Sequence, residues 1–503
     1  MTADADGRRR ELKGLVVRGV GWMMASQASI QLLGFATSIV VARFLAPREV
    51  GLAAEALVFS SLALVAVDFG FASVLVQRPQ LSEEDKSTAF WTGTMLGVVM
   101  TLLGIGLSWP IASLYGQPEV QSLLAVLSLV FLFTAPGIVQ GALLTRDLRF
   151  RSLEVRTIIA TTVSCVTAMA LAVAGVGAWA IIAQHLTITS VSTLLLWRSS
   201  DWRPRARFSM ASLRGMARFT SHVFGTRVLA WGNANLDNFL VGRFLGPASL
   251  GAYALAFGVI VTPINRVATP ITQVFFPAFS RMGDRERIAG AWLRAIRMVA
   301  LVIVAPMLGL IAVAPDFVEV VFGTKWHAAI PVLQILAPVG LLQALMALNA
   351  GILQSLDRTR VLFRFTLVAS IATVGAFAAG LPWGLEGVAT AYLLVTLVLQ
   401  PTFLWLTTRS VGISPLDWLR SIAGVLQAGL GMLLAVLAAR AALLETSLPV
   451  AARLAAVVLV GALIYVPLVA WRAPEVLQEL RSLRARRREA AGPPAPEGAE
   501  AQV

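Results

Sequence analysis

The sequence predicts an all-α polytopic membrane protein, built from two repeated halves and two appended helices. Of its 503 residues, 57% are hydrophobic and 14% are charged, whereas a soluble domain carries about 25% charged residues. Apolar runs of about 20 residues, the length that spans a bilayer, recur along nearly the whole chain. A soluble core could not hide so many apolar runs, so the composition excludes a soluble protein.

A short stretch that occurs twice indicates the duplication. Residues 39–51 and 239–251 both contain the pattern Arg-Phe-Leu-x-Pro, with a glycine four residues after the proline. Proline suits the first position of a helix and disfavours α geometry in the residue before it. Each copy therefore predicts a tight turn between two helices, with Gly51 and Gly251 allowing a close approach one helical turn later.

Fourteen membrane spans are predicted, and they set the domain boundaries. The spans lie near residues 20–42, 50–77, 88–110, 120–144, 155–176, 178–197, 216–241, 248–277, 293–315, 330–354, 362–381, 384–408, 422–444 and 451–471. The two copies of the repeat are six spans apart, an even number, so the halves have the same orientation and form a parallel repeat. The predicted domains are a cytoplasmic N-terminus (1–18), an N-terminal six-helix bundle (19–197), a cytoplasmic linker (198–215), a C-terminal six-helix bundle (216–408), two extra transmembrane helices (409–471) and a cytoplasmic, disordered tail (472–503).

The distribution of positive charge predicts the topology. Of the 41 Lys and Arg residues, 33 lie in or within a few residues of alternate segments that begin with the N-terminus, six lie in or within a few residues of the other segments, and Arg227 and Arg266 lie deep inside spans. Lys and Arg are enriched in cytoplasmic loops, so both termini are expected in the cytoplasm. The net charge of +14 is then a property of the topology, and we expect no nucleic-acid partner.

Several motifs resemble a known family, the polysaccharide-exporting flippases of the multidrug/oligosaccharidyl-lipid/polysaccharide (MOP) superfamily. The similarity is greatest to the Wzx-like branch that includes the colanic acid and teichuronic acid exporters. The motifs are Asp-Phe-Gly-Phe-Ala-Ser-Val-Leu-Val-Gln at 68–77, Ala-Phe-Trp at 89–91, Asn-Leu-Asp-Asn-Phe-Leu-Val-Gly-Arg-Phe-Leu-Gly at 235–246, Phe-Pro-Ala-Phe-Ser at 276–280, Lys-Trp at 325–326 and Pro-Val-Leu-Gln at 331–334. The resemblance runs from about residue 15 to about residue 410.

The resemblance implies a fold and an activity. Two six-helix bundles would face each other around a central cavity, and alternating access would move an undecaprenyl-diphosphate-linked oligosaccharide across the bacterial inner membrane. Membrane lipids would surround the protein, and the polymerase and glycosyltransferases that act on the same glycan are expected partners. A lipid II flippase and a MATE-like cation-coupled antiporter remain alternatives, with a membrane-embedded glycan polymerase as a further one.

The predicted seventh span carries a polar stripe that should not face lipid. Its members are His222, Arg227, Asn233, Asn235, Asp237 and Asn238. Charge within a bilayer is costly, so an intramembrane ionisable residue indicates function. We expect Arg227, Asn233, Asp237 and Asn238 to line the cavity, with the guanidinium suited to bind phosphate. The alternative is a buried Arg–Asp pair that holds helices together.

The eighth span contains a further candidate for the cavity, Arg266, which lies between Pro263 and Pro270. Prolines bend helices and free backbone carbonyls. Irregular backbone at membrane depth is tolerated where protein or a water-filled cavity covers it. The alternative is that Arg266 reaches the cytoplasmic interface with its long side chain.

Four residues near span ends are candidates for a gate or for helix pairing. Asp68, followed by Gly70, resembles an Asp-x-Gly element of the family, and a gating or helix-packing role is expected. Glu55 near the outer end of the second span is expected to pair with Arg43, although it could instead take up a proton. Arg43 and Arg243 could form an outer gate, and interfacial snorkelling is the simpler alternative.

Motifs of known enzymes and metal sites are missing from the sequence. It contains no HExxH, P-loop or GxSxG pattern. Three histidines and a single cysteine, Cys165 in an apolar run, make a metal site improbable. We therefore expect a transporter that is not an enzyme and needs no cofactor or metal.

Overall fold

The structure is a computed structural model that describes residues 29–68, 70–78, 80–282 and 284–475. The predicted cytoplasmic N-terminus and the tail beyond residue 475 lie outside the described residues. Some helical residues are described by their backbone alone, among them Asp68, Asn233 and Arg266. Over the described ranges the secondary structure is helical, without β-strands.

Eighteen α-helices follow one another along the described ranges. They are α1 (Ser29–Phe44), α2 (Pro47–Asp68), α3 (Phe71–Gln77), α4 (Glu83–Tyr115), α5 (Glu119–Leu127), α6 (Leu129–Thr134), α7 (Ile138–Arg146), α8 (Phe150–Val173), α9 (Trp179–Ser199), α10 (Met210–Leu245), α11 (Pro247–Met282), α12 (Arg285–Val321), α13 (Ala329–Met346), α14 (Asn349–Ser355), α15 (Thr359–Gly380), α16 (Gly384–Val411), α17 (Pro415–Leu444) and α18 (Val450–Arg472).

The helices confirm a polytopic membrane protein. Within the described residues, ten helical stretches are long and apolar enough to cross a membrane, and one of them, Thr359–Val411, contains both α15 and α16. Helices α1 and the first part of α11 are apolar as well. Helix α11 is continuous through the two prolines that flank Arg266.

Both copies of the repeated stretch form the predicted turn. Helix α2 begins at Pro47 and α11 begins at Pro247, the position where the missing N–H of proline leaves no bond unmade. The turn before α11 is made by Gly246, whose φ of 84° is unfavourable for residues with a Cβ. The duplication read from the sequence is thus present in the backbone at this turn.

A second pair of turns repeats at a place where the sequences differ. Leu148 and Asp357 both have φ of 55°, in the left-handed region that non-glycine residues rarely adopt. In each turn the next residue, Arg149 or Arg358, donates its N–H to the carbonyl five residues earlier, as in a Schellman helix end. The two turns lead into α8 and α15, so the halves share a second local structure that sequence identity does not reveal.

Contacts divide the chain into two compact units. The first extends to Leu255 and includes Val321–Ala328, and the second contains Ala256–Val320 and the chain from Ala329 onward. In the first unit, α10 packs against α2 and α4, and α8 packs along α9. In the second unit, α17 packs along α18. The two-bundle boundaries given above remain a prediction.

Candidate functional site

The polar helix α10 forms part of the first unit. Its start is capped by Ser209, whose hydroxyl accepts the N–H of Ser212, as the first turn of a helix requires. Further along, Arg227 is half-buried. One turn later the indole of Trp231 donates to Ser61 Oγ of α2 at 2.9 Å, and the Asn235 amide donates to the Trp231 carbonyl at 3.0 Å. Polar side chains thus fix this helix against α2.

Asp237 on α10 is buried, with 5% of its surface exposed. Its Oδ2 accepts the hydroxyl of Tyr253 at 3.0 Å, and its Oδ1 accepts the backbone N–H of Asn238 at 2.8 Å. The carboxyl therefore links α10 to α11 across the repeated turn. The Arg–Asp pair that we considered as an alternative for this helix does not form at Asp237.

The other predicted cavity residues are placed to different extents. Asn238 is half-buried on α10. Asn233 and His222 lie on α10, and Arg266 lies on α11, but their side chains are outside the described part of the structure. The same holds for the side chain of Asp68, which is the last residue of α2. Their roles in a cavity or gate remain predictions.

The region around Glu55 combines complete burial with a lack of hydrogen bonds. The side chain has 0% exposure, and neither carboxylate oxygen has a hydrogen-bond partner among the described residues. The added Cβ of an alanine at position 242 would lie 3.2 Å from Glu55 Cγ and 3.0 Å from the ring of Tyr115. Gly242 therefore makes room for both side chains. Next to this group, the rings of Phe59, Tyr115 and Phe239 contact one another edge to face.

Arg43 does not pair with Glu55, which corrects our expectation. Its Nε donates instead to the carbonyl of Val321 at 2.9 Å, and its side chain is exposed, whereas Glu55 is buried. The physical reason is the position of Arg43 at the end of α1, where the guanidinium can satisfy a backbone carbonyl at less cost than entering an apolar interior. Arg243 is likewise exposed, and its guanidinium lies 5.4 Å from the ring of Phe244.

The end of α1 is held by the short segment that follows α12. Lys325 Nζ donates to the carbonyls of Arg43 and Phe44 at 3.1 and 3.3 Å, and Trp326 Nε1 donates to the carbonyl of Ala42 at 2.7 Å. The last carbonyls of a helix lack partners within it and carry partial negative charge. The Lys-Trp pair, which we noted as a family motif, therefore caps this helix.

The two repeated turns interlock through their glycines. A Cβ on Gly51 would lie 1.7 Å from the carbonyl oxygen of Pro247, and a Cβ on Gly251 would lie 2.0 Å from the carbonyl oxygen of Pro47. In each turn a backbone carbonyl thus packs directly against the glycine of the other turn. The close approach predicted from the sequence is confirmed, and the structure adds that each copy approaches the other.

A cavity of about 650 Å³ lies elsewhere in the first unit, lined by residues of α3, α7, α8 and α9. Its lining includes Glu154, Arg156 and a set of threonines. We did not predict this cavity, although hydroxyl residues at helical spacing in the sixth span were visible in the sequence. The sequence does not show which other helices those hydroxyls face. No group of three or more metal-ligating side chains occurs in the described part of the chain.

Comparison with known proteins identifies the family. Residues 40–331, more than half of the chain, match the family described as polysaccharide biosynthesis protein. The chain belongs to this family. It is 29% identical to the lipopolysaccharide biosynthesis protein WzxC of Escherichia coli (strain K12), over 77% of this chain and 80% of that protein. It is 30% identical to the succinoglycan biosynthesis transport protein ExoT of Rhizobium meliloti (strain 1021), over 73% and 74%.

The fold is also similar to a solved structure. The lipid II flippase MurJ, in an inward closed conformation, superimposes with a TM-score of 0.72 at 15% identity, covering 91% of this chain and all of that chain. At this level of identity the similarity concerns the fold alone. The resemblance inferred from the motifs and the all-α membrane fold are both confirmed.

Proposed function

We propose that this protein is a flippase that moves an undecaprenyl-diphosphate-linked oligosaccharide from the inner to the outer leaflet of the bacterial inner membrane. The observation that carries the proposal is membership of the polysaccharide biosynthesis family over more than half of the chain. A relative over most of its length is named as a transport protein of this kind of pathway. The distribution of Lys and Arg supports a cytoplasmic position for both termini.

Alternating access is the mechanism that this proposal uses. In the predicted topology the turns at Gly51 and Gly251 lie at the outer ends of their spans, so their interlock supports a closed outer gate. Opening to the outside would separate the two turns. Arg43 and Arg243, each at the end of the helix that precedes its turn, would then line the exit, and Asp68 would act at the opposite end of α2.

Arg227 is proposed as the principal contact for the anionic part of the cargo. Arg227 is half-buried on α10, and its predicted span places it near mid-depth of the membrane, where an ionisable side chain indicates function. A guanidinium offers several donors to a diphosphate in a fixed plane. Asn233, Asn238 and Arg266 would add further contacts along the same path.

The Arg227 contact is tested by two substitutions at native expression. Arg227→Ala should abolish glycan export while leaving membrane insertion intact, and Arg227→Lys should retain part of it because a point charge replaces the planar group. Normal export by Arg227→Ala would remove this residue from the site. The readout is surface glycan per cell, normalised to the amount of protein in the membrane.

The function itself is tested by deleting the gene and analysing lipid-linked sugars. We expect single lipid-linked repeat units to accumulate on the cytoplasmic leaflet. Flipped but unpolymerised units would indicate a polymerase instead, and accumulated peptidoglycan precursor would indicate a lipid II flippase. An unchanged lipid-linked pool with altered drug sensitivity would indicate an antiporter.

A further inference from the structure

The cavity of about 650 Å³ in the first unit has a wall of threonines. Its members are Thr134, Thr145, Thr157, Thr189 and Thr193, and we call them the threonine wall. The volume lies within the roughly 300–1,000 Å³ typical of small-molecule sites. The cavity is lined by α3, α7, the last residue of α6, the first turns of α8 and the second half of α9. The predicted topology places the start of α8 and the end of α9 at the cytoplasmic side.

The hydrogen bonds of the threonine wall determine which ligands it suits. Each of the five hydroxyls donates its proton to a backbone carbonyl of the protein. A hydroxyl oxygen has two lone pairs, so after donating its proton it can still accept. The wall therefore offers acceptors, and it suits a ligand rich in O–H donors rather than one that consists of phosphate oxygens alone.

Two charged side chains complete the lining. Glu154 and Arg156 both line the cavity. One atom of each, Glu154 Oε2 and Arg156 Nε, is shielded from solvent and has no hydrogen-bond partner among the described residues, so a ligand would meet the remaining polar atoms of the two side chains. Arg156 also donates from Nη2 to Thr157 Oγ1 at 3.1 Å, so it is fixed at the edge of the threonine wall. The cavity thus joins many acceptors with one cation, and apolar residues such as Ile138 and Leu196 cover the remaining lining.

A saccharide joined to an anionic group matches this combination. Its hydroxyls can donate to Glu154 and to the threonine wall, its C–H faces can contact the apolar residues, and its phosphate can face Arg156. We propose that the cavity binds the saccharide headgroup of the lipid-linked cargo at the cytoplasmic leaflet, as a loading site that precedes contact with Arg227. This inference rests on the proposed flippase function and adds a binding site to it.

The test compares two probes that differ only in the sugar. The full chain, in nanodiscs of phosphatidylethanolamine and phosphatidylglycerol, is titrated with undecaprenyl diphosphate and with undecaprenyl diphosphate carrying one hexose. Native mass spectrometry measures both affinities and any retained phospholipid. The hexose should raise the affinity of the wild type. In Glu154→Gln and in Thr193→Val this gain should be about tenfold smaller, because a hydrogen bond to the sugar is lost. Thr193→Val should leave the affinity for the sugar-free probe unchanged, and Glu154→Gln should not weaken it, because the substitution removes a negative charge from the cavity that holds Arg156.

Matched variants outside the cavity serve as controls. Thr167→Val removes a hydroxyl of α8 that donates to the backbone of its own helix at 2.9 Å, outside the cavity. Glu84→Gln neutralises an exposed carboxylate on α4. Both should bind like the wild type. If the cavity variants also bind both probes like the wild type, or change only the retained phosphatidylethanolamine, the inference is overturned while the flippase function stands. If the wild type binds neither probe, the proposed function fails as well.

Discussion

Two buried carboxyl groups show how differently this protein treats acids within the membrane. Asp316 on α12 is 2% exposed and Glu55 on α2 is 0% exposed. Asp316 Oδ2 accepts from Arg440 Nε at 2.8 Å, and its Oδ1 accepts from Arg453. Glu55 has no hydrogen-bond partner among the described residues. One acid is held by two cations, and the other lies next to Gly242 and close to Tyr115.

The hydrogen bonds of Asp316 indicate a structural role that Glu55 does not share. Asp316 connects α12 to both appended helices, α17 through Arg440 and α18 through Arg453, so it holds these helices on the second unit. An ionised carboxylate without a partner would be costly at the position of Glu55, and no described residue forms a hydrogen bond to this side chain.

The largest expected effect comes from removing the charge of Asp316. Asp316→Asn leaves Arg440 and Arg453 without their counter-charge, and we expect a loss of about 2–3 kcal/mol, reduced from the value for fully buried pairs because both arginines are partly exposed. Thermal unfolding of the purified protein in one detergent measures it. The control is Asp201→Asn, which affects an exposed pair with Arg149 at 3.3 Å and should change little. Equal unfolding temperatures for the two variants would contradict the structural role.

A second effect should follow from the interlocked turns. Gly51→Ala places a Cβ 1.7 Å from the Pro247 carbonyl oxygen, so the turns must move apart, at a cost of about 1–3 kcal/mol. Gly106→Ala on α4 is the control because no atom lies within 4 Å of the added Cβ. We expect Gly51→Ala alone to lower both the unfolding temperature and export. Wild-type stability and export in Gly51→Ala would show that the turns do not press against each other.

A smaller effect is expected at the end of α1. Lys325→Met removes the cation that binds the Arg43 and Phe44 carbonyls, and helix-end cations contribute about 0.3–1 kcal/mol. Lys325→Arg keeps the charge and should restore most of the loss. Unfolding temperatures at low and high salt measure the difference, which should shrink with salt because the site is exposed. If both variants lower the unfolding temperature equally, the effect comes from packing and not from the charge.

The smallest effect is expected at Glu55 itself. Glu55→Gln replaces a carboxyl group that has no hydrogen-bond partner among the described residues by an amide of the same shape, so the unfolding free energy should change by less than about 1 kcal/mol. The exposed Glu386 on α16 provides the matched control, Glu386→Gln. If Glu55→Gln is as destabilising as Asp316→Asn, the comparison between the two acids fails, and Glu55 has a charged partner in the native protein.

The sequence predicted what depends on local pattern. The membrane helices follow from apolar length, and the turns at Pro47 and Pro247 follow from proline and glycine chemistry. It did not predict the Asp316 cluster, because Asp316 is 124 residues from Arg440 and 137 from Arg453. We also paired Arg43 with Glu55 from their positions in the sequence, whereas in the structure Arg43 donates to the carbonyl of Val321.

The threonine wall illustrates the same limit. Thr189 and Thr193 were visible as hydroxyls on a predicted span, but the sequence does not show that Thr189 bonds its own helix whereas Thr193 donates to the carbonyl of Phe133 on α6. Only the packing of α8 and α9 shows that they face Glu154 and Arg156 across a cavity. Helical period predicts which residues share a face, and the fold determines what that face meets.

The central claim, translocation of a lipid-linked saccharide, is tested most directly in proteoliposomes. The purified full chain is reconstituted with undecaprenyl diphosphate that carries a hexose, and an impermeant oxidant of the sugar is added outside. We predict that the protein makes the inner-leaflet pool accessible within minutes and that Arg227→Ala leaves it protected, as in protein-free vesicles. An inner pool that stays protected with the wild type, in vesicles where the protein is folded and inserted, would contradict the account.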